Sequence, residues 1–372
     1  MDALEQLRTI AMDPWYWLPS GMSWRMLRSQ PPHLPMPEPD LMYRSIGYGV
    51  LMLLVRMAFH CFIGLPLAVA LGLHNPRKTG GFLSECFRIA IYGLPVRSKL
   101  HRFLDCFWRM TFYACTFCYG ASYIRRQRWY GDFIHCWYQY PMHPLIDEVR
   151  WHYLIEAAYY WSALAITLGA VGRKDFVINL VHHSVTLALM WLSWTLNLTR
   201  IGSLVLVIHD AADIFLELGK MGRYLASDLM TNIFLGVFLV VWIVSRLIVY
   251  PLLIYSALFE GPLIVASIHW PLMIVVLYAM LVLLQVLHVI WSGMIARAVV
   301  NALTPGANVT DERSDSEESD DCDREESSNS ATAKLNATNG ATGKQQTSNS
   351  ATGKRQTINN AIANDVANCS KS

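Results

Sequence analysis

Apolar runs of about 20 residues, the length a helix needs to cross a bilayer, recur between residues 44 and 300 and leave this chain one broad class of fold. Their windows fall at roughly 45–73, 103–124, 152–172, 176–196, 201–219, 229–256 and 270–296. The expected architecture is an all-α polytopic membrane protein, a bundle of about seven transmembrane helices. A mean hydropathy of +0.29 with 53% hydrophobic residues agrees. Seven crossings put the two termini on opposite faces. Lys and Arg accumulate in short cytosolic loops, and here they fall at Arg77, Lys78, Arg88, Arg97, Lys99 and Arg102, at Arg173 with Lys174, and at Lys220 with Arg223. These residues predict a lumenal segment at 1–44, a first span at 45–73, a cytosolic loop at 74–102 and a cytosolic C-terminus. Arg125, Arg126 and Arg128 run against the pattern.

The stretch Arg173–Tyr224 breaks the apolar rule. Its two runs, Phe176–Leu196 and Ile201–Leu218, carry His182, His183, His209, Asp210, Asp213 and Glu217. A charged side chain at the bilayer centre costs roughly 2.5–3.5 kcal/mol on insertion scales, so such residues face a protein interior and mark function. Residues three or four apart share a helix face. Asp210, Asp213, Glu217 and Lys220 therefore form one stripe, and His183, Thr186, Ser193 and Asn197 form another, with His182 about 100° round the helix. Two neighbouring helices can present imidazoles to carboxylates. A single histidine in a span, such as His209, His269 or His288, is more often a packing residue, and Glu217 with Lys220 can simply pair.

The remaining segments bound other roles. Residues 1–43 hold no apolar core of signal-peptide length, and Pro31–Pro39 reads as extended. Gly131–Val149, broken by Pro141 and Pro144, is expected at the lumenal surface over or beside the bundle. The region 301–372 is expected as a disordered acidic and Asn/Ser/Thr-rich tail. In it Asp311–Glu326 holds ten acidic residues against two arginines, followed by the near-repeats NSATAK, NGATGK and NSATGK. Ser314, Ser316 and Ser319 sit in acid and suit an acidophilic kinase as partner. No dense basic patch points to nucleic acid. Cys115 and Cys118 lie in a span without a second pair, which argues against zinc or redox chemistry.

Arg173-Lys174-Asp175-Phe176, His182-His183, Asn197, Arg200, Gly202, His209-Asp210, Asp213, Leu216-Glu217, Lys220 and Tyr224 resemble, in order and spacing, the Lag1 motif of the ceramide synthases within the TLC-domain family. Cys136-Trp137, Tyr140-Pro141, Glu156 and Tyr160-Trp161-Ser162 resemble what precedes that motif, and Trp15–Pro19 with Trp24 the family's N-terminus. The resemblance implies a TLC domain over 98–300 with the motif at 173–224. Residues 74–102 are too few for the homeobox-like domain that many animal members carry, so only its end is retained.

The implied reaction moves a fatty acyl group from acyl-coenzyme A to the amine of a sphingoid base, in the endoplasmic reticulum membrane, giving (dihydro)ceramide. A thioester is already activated, so acyl-coenzyme A serves as co-substrate and no cofactor or metal is expected. An ammonium must lose a proton before it attacks, and histidine is the fitting base. His182 and His183 are the catalytic candidates, as general base, as acyl-imidazole, or both, with Asp210 and Asp213 to orient them. Arg173 and Lys174 suit coenzyme A phosphates or a positive-inside anchor, and Asn197 and Glu217 complete the expected substrate-binding set. A homo- or heterodimer and contacts with membrane lipids belong to the same expectation. The competing classes are a proton-coupled lipid transporter or lipid sensor of the TLC type, and a metal-dependent lipid hydroxylase, whose several H-x-x-H-H boxes this chain lacks.

Overall fold

The structure, a computed structural model, describes residues 13–20, 22–29, 35–75, 81–92, 98–169, 176–265 and 271–303. The chain divides into two units, 1–315 and 316–372, and every described residue belongs to the first. The expected tail lies outside the described residues from 304 onward.

All regular structure among the described residues is helical. Two short helices, α1 (Pro14–Trp17) and α2 (Trp24–Ser29), precede the long ones. The first long helix is α3 (Pro39–Ala70), followed by α4 (Phe82–Tyr92), α5 (Lys99–Ile124), α6 (Asp147–Leu168), α7 (Phe176–Thr195) and α8 (Thr199–Tyr224). Then come α9 (Asp228–Ile264) and α10 (Leu272–Leu303). Serine caps start two of them: Ser98 accepts from His101 N at 3.4 Å and Ser227 from Met230 N at 3.4 Å, each filling an orphan donor of a first turn. These caps start α5 four residues before its hydropathy window and α9 one residue before.

Four helices, α3, α7, α9 and α10, are long and apolar enough to cross a membrane, so the chain is a multi-pass membrane protein. The other long helices, α5, α6 and α8, have 26, 22 and 26 residues and carry more polar side chains. Those side chains meet one another inside the bundle, where α8 packs on α5 and α9, α3 lies along α6, and α7 sits between α6 and α10.

Three prolines inside these helices do not end them. A proline ring collides with the carbonyl four residues earlier in a regular α-helix. Here a π-helical stretch precedes each one: His60–Gly64 before Pro66, Ile243–Val249 before Pro251, and Ser256–Glu260 before Pro262. The wider turn moves the carbonyl aside and the helix continues. Between the windows at 229–256 and 270–296 the sequence, with no Lys or Arg, reads as a short loop over Tyr255–His269, and this device corrects that reading. The chain stays helical to Ile264, and residues 266–270, with His269, lie outside the described residues.

The segment between α5 and α6 folds onto one end of the bundle. Trp137, 1% exposed, donates from Nε1 to Ser256 Oγ at 3.0 Å, and the Tyr140 hydroxyl donates to the Leu196 carbonyl at 3.0 Å. Asn197, in the left-handed region at φ 55°, turns the chain from α7 into α8 and donates to the carbonyls of Pro141 and His143 at 2.7 and 3.1 Å. Arg200 donates to the carbonyls of His135 and Tyr138.

His143 is buried here, and desolvation, helped by the nearby Arg200 charge, pushes its pKa down to about 3. The unfolded chain takes up this proton near pH 6.5 while the folded one does not, so stability is intact above pH 6.5 and falls as the pH drops toward 3. At pH 5 the loss from this residue is about 2 kcal/mol, from 1.36 kcal/mol per unit. Thermal unfolding in detergent at pH 7.5 and pH 5 should show a smaller difference in His143→Gln than in wild type. An equal difference in both rejects this source of acid sensitivity.

Candidate active site

The site is built where α6, α7, α8, α9 and α10 converge. On α7 the rings of His182 and His183 lie 5.6 Å apart and point to different neighbours, as their 100° separation requires. His183 Nδ1 is 3.1 Å from Thr167 Oγ1, and that hydroxyl has the Ala163 carbonyl at 2.9 Å to receive its proton. Thr167 is then the acceptor toward the ring, which places the His183 proton on Nδ1 and the lone pair on Nε2. His182 stands edge-on to Trp291 of α10 at 5.1 Å, and its buried Nδ1 makes no hydrogen bond. Tyr160 of α6 faces both rings, at 6.4 and 6.0 Å.

The polar stripe of α8 is real, but each member takes a different partner. Asp210, 2% exposed, has Thr116 Oγ1 at 2.6 Å from its Oδ2 and sits with His152 and Glu156 of α6 in a group whose polar atoms lie within 4.8 Å of one another. Asp213 accepts from Arg246 Nη2 at 3.2 Å. Glu217 accepts from Arg109 and from Lys220, each at 2.9 Å, so the pairing with Lys220 is joined by a second cation. Arg173 and Lys174 lie outside the described residues. Asn197 is fully buried as the anchor of the α5–α6 segment.

Several residues of this region were not singled out as site residues from the sequence. Arg246 sits in a π turn of α9, donates at 2.7 Å to the His209 carbonyl and lies over the Trp242 ring at 5.3 Å. It is a lone charge in the apolar window 229–256, and the cost argument applied to α7 and α8 would have found it. His209 donates from Nδ1 to the Val205 carbonyl at 2.7 Å, and its Nε2 lies 3.2 Å from His288 Nε2, a nitrogen that Arg246 Nη1 also approaches at 3.5 Å. Two histidines expected as packing residues thus form one hydrogen-bonded pair.

A mostly apolar pocket is lined by, among others, Thr186, Met190, Val205, His209, Leu253 and Leu281, and neither His182 nor His183 is part of its lining. Thr186 is one turn beyond His182 on α7, and Tyr160, which faces the imidazoles, also lines the pocket. Gly202 lets α8 approach α6 here, since a Cβ at that position would collide with the Tyr153 hydroxyl.

Comparison with known proteins adds an independent line. A family model described as TLC domain matches residues 102–297. Ceramide synthase hyl-1 of Caenorhabditis elegans is 34% identical over 312 residues, covering 81% of this chain and 82% of the relative. Ceramide synthase 5 of Homo sapiens is 31% identical over 340 residues, covering 82% and 86%, and ceramide synthase hyl-2 of Caenorhabditis elegans is 31% identical over 331 residues, covering 84% and 95%. With the motif, the helical bundle and these matches in agreement, the chain belongs to the ceramide synthases of the TLC-domain family.

Proposed function

We propose that this chain is an acyl-coenzyme A-dependent sphingoid base N-acyltransferase whose chemistry runs through His182 and His183. The observation that carries the reading is a pair of imidazoles faced by Tyr160 and one helical turn from Thr186, both of which line an apolar pocket, an arrangement suited to bringing a fatty acyl thioester to a base. His183, with Nε2 free of its proton, takes the proton of the sphingoid ammonium or of a partner group. His182 Nδ1, buried and unpaired, suits attack on the thioester carbon to give an acyl-imidazole, where the N–C bond forms as the C–S bond breaks. Coenzyme A leaves as thiol with a proton passed from His183, and the sphingoid amine then takes the acyl group and frees the imidazole. Direct transfer and the acyl-enzyme route use the same two rings. Asp210 and Asp213 set the charge around them. The thioester brings its own activation, so acyl-coenzyme A is the co-substrate and no cofactor or metal is required. The transporter or sensor reading draws no support from relatives named as synthases.

The membrane arrangement follows. α3 and α5 to α10 make seven crossings, with a lumenal N-terminus, a cytosolic C-terminus and the endoplasmic reticulum as location. In this reading Arg173 and Lys174 serve the coenzyme A phosphates and Glu217 belongs to the substrate-binding set. The acyl chain would run along Met190 toward Leu253 and Leu281.

Purified protein supplied with sphinganine and a ladder of acyl-coenzyme A lengths tests the reading, and absence of N-acyl product at every length would reject it. The pocket gives a second expected result. Leu281→Trp fills space that methylenes would occupy, each worth about 0.8 kcal/mol when buried, so the product profile should move to shorter chains by two or more carbons. An unchanged profile with retained activity would place the acyl end elsewhere.

A further inference from the structure

Glu156 and Asp210 face each other inside the bundle with neither charge answered. Glu156 is 0% exposed and Asp210 2%, and their polar atoms lie within 4.8 Å of each other and of His152. Among the described residues no lysine or arginine reaches either carboxyl: Arg246 is engaged with Asp213 and Arg109 with Glu217. His152 is the nearest basic group, with Nε2 3.7 Å from Glu156 Oε1, beyond hydrogen-bond reach, while its Nδ1 is 2.8 Å from the Tyr123 hydroxyl. An imidazolium there would bury an unpaired N–H, because His152 Nε2 makes no hydrogen bond. Both Glu156 oxygens are likewise without a donor. Two ionised carboxylates this close and this buried repel each other without compensation, whereas one proton between them supplies the missing donor and removes one charge.

We propose that Glu156 is a positioning residue of the site, sharing a single proton with Asp210 so that the pair carries one negative charge. The inference rests on the placement of Asp210 in the acyltransfer site and deepens it. The pair is faced by Thr116 from α5, by His152 and Tyr160 from α6, and by Asp213 from α8 with Arg246 of α9 upon it. Tyr160, one helical turn after Glu156, stands against both imidazoles of α7. Proton sharing keeps Asp210 seated and fixes the wall on which Tyr160 and the histidines rest. Loss of that proton at alkaline pH creates a second buried charge and displaces the wall.

The test reads the proton and the activity separately. Infrared difference spectra of the purified protein, taken between neutral and alkaline pH and in heavy water, should contain the carbonyl stretch of a protonated carboxyl, and Glu156→Gln should remove it. Glu156→Ala should cost about 10²-fold in N-acylation, the scale of a small misplacement of reacting groups. Glu156→Gln keeps the single negative charge and a donor, should recover most of that loss, and should move the alkaline limb of the pH–rate profile to higher pH. The infrared arm does not depend on turnover, so it stands even if the acyltransferase reading fails. Should Glu156→Gln fold poorly, Asp210→Asn read by infrared alone replaces it. Absence of a protonated carboxyl in wild type, an alkaline limb that Glu156→Gln leaves in place, or one divalent metal per chain that is lost in His152→Ala would overturn the proposal.

Discussion

His182→Ala and His183→Ala proteins are each expected to lose N-acylation by about 10²–10⁴-fold, the contribution of a positioned acid or base. The helix should survive, since alanine is less polar than histidine and α7 is one of four helices among the described residues that are long and apolar enough to cross a membrane. The two losses differ in origin. His183 is held by Thr167 in one tautomer, so Thr167→Val should reproduce part of its loss by freeing the ring. His182 has aromatic neighbours and an unpaired nitrogen, so its loss should be insensitive to Thr167. Effects within one catalytic unit are far from additive, and the double alanine variant should be little worse than the worse single one. The comparison is made at matched protein abundance with sphinganine and one saturating acyl-coenzyme A. A double variant that acylates at near wild-type rate ends the case for the histidines.

Arg246→Met is expected to be the most destabilising single change in the bundle. It takes the guanidinium from the Asp213 carboxylate and the His209 carbonyl, all within a region where Arg246 is 3% exposed. Breaking a buried pair by removing one partner costs about 3–5 kcal/mol because a charge is left behind, and the 24% exposure of the Asp213 side chain puts the expected loss at the lower end of that range. Asp213→Asn alone should cost less, as the amide still accepts from Arg246. In the double variant the charge left behind is gone, so it should be more stable than Arg246→Met alone, a coupling that a double-mutant cycle measures. Denaturation in detergent, monitored by intrinsic tryptophan fluorescence, reads it through Trp242, which packs under Arg246. Arg246→Met within about 1 kcal/mol of wild type would mean the ion pair is incidental.

Much of this could be read from the residues because hydropathy and polar cost are local properties. The apolar windows fall on helices, and of the polar residues of α7 and α8, Thr186, Ser193 and His209 line the pocket. What could not be read is which residue answers which. The spacing of Asp210, Asp213 and Glu217 puts them on one face, yet that face meets two helices, so Thr116 and Arg109 of α5 take Asp210 and Glu217 while Arg246 of α9 takes Asp213. Those partners are 94, 108 and 33 residues distant in sequence. Glu156 illustrates the same limit, since its importance comes from lacking a cation, and a missing neighbour leaves no trace in a linear pattern. Tyr255–His269 reads as a short loop without Lys or Arg between two apolar windows, and the wide turn at Ser256–Glu260 is what lets the helix run past Pro262 to Ile264.

Those wide turns also change what a length difference means in this protein. A π turn holds one residue more than an α turn, so everything beyond it is rotated by about 100° relative to a regular helix. Leu253, which lines the pocket, lies between the two wide turns of α9. Losing one residue from Ile243–Val249 would tighten that turn and rotate Leu253 away from the pocket, but it would also bring the Pro251 ring back onto a carbonyl one turn earlier, so the helix would keep its reach only with Pro251 replaced as well. The pocket wall and the proline in this helix are therefore coupled, and a change in one turn length asks for a change at the other position.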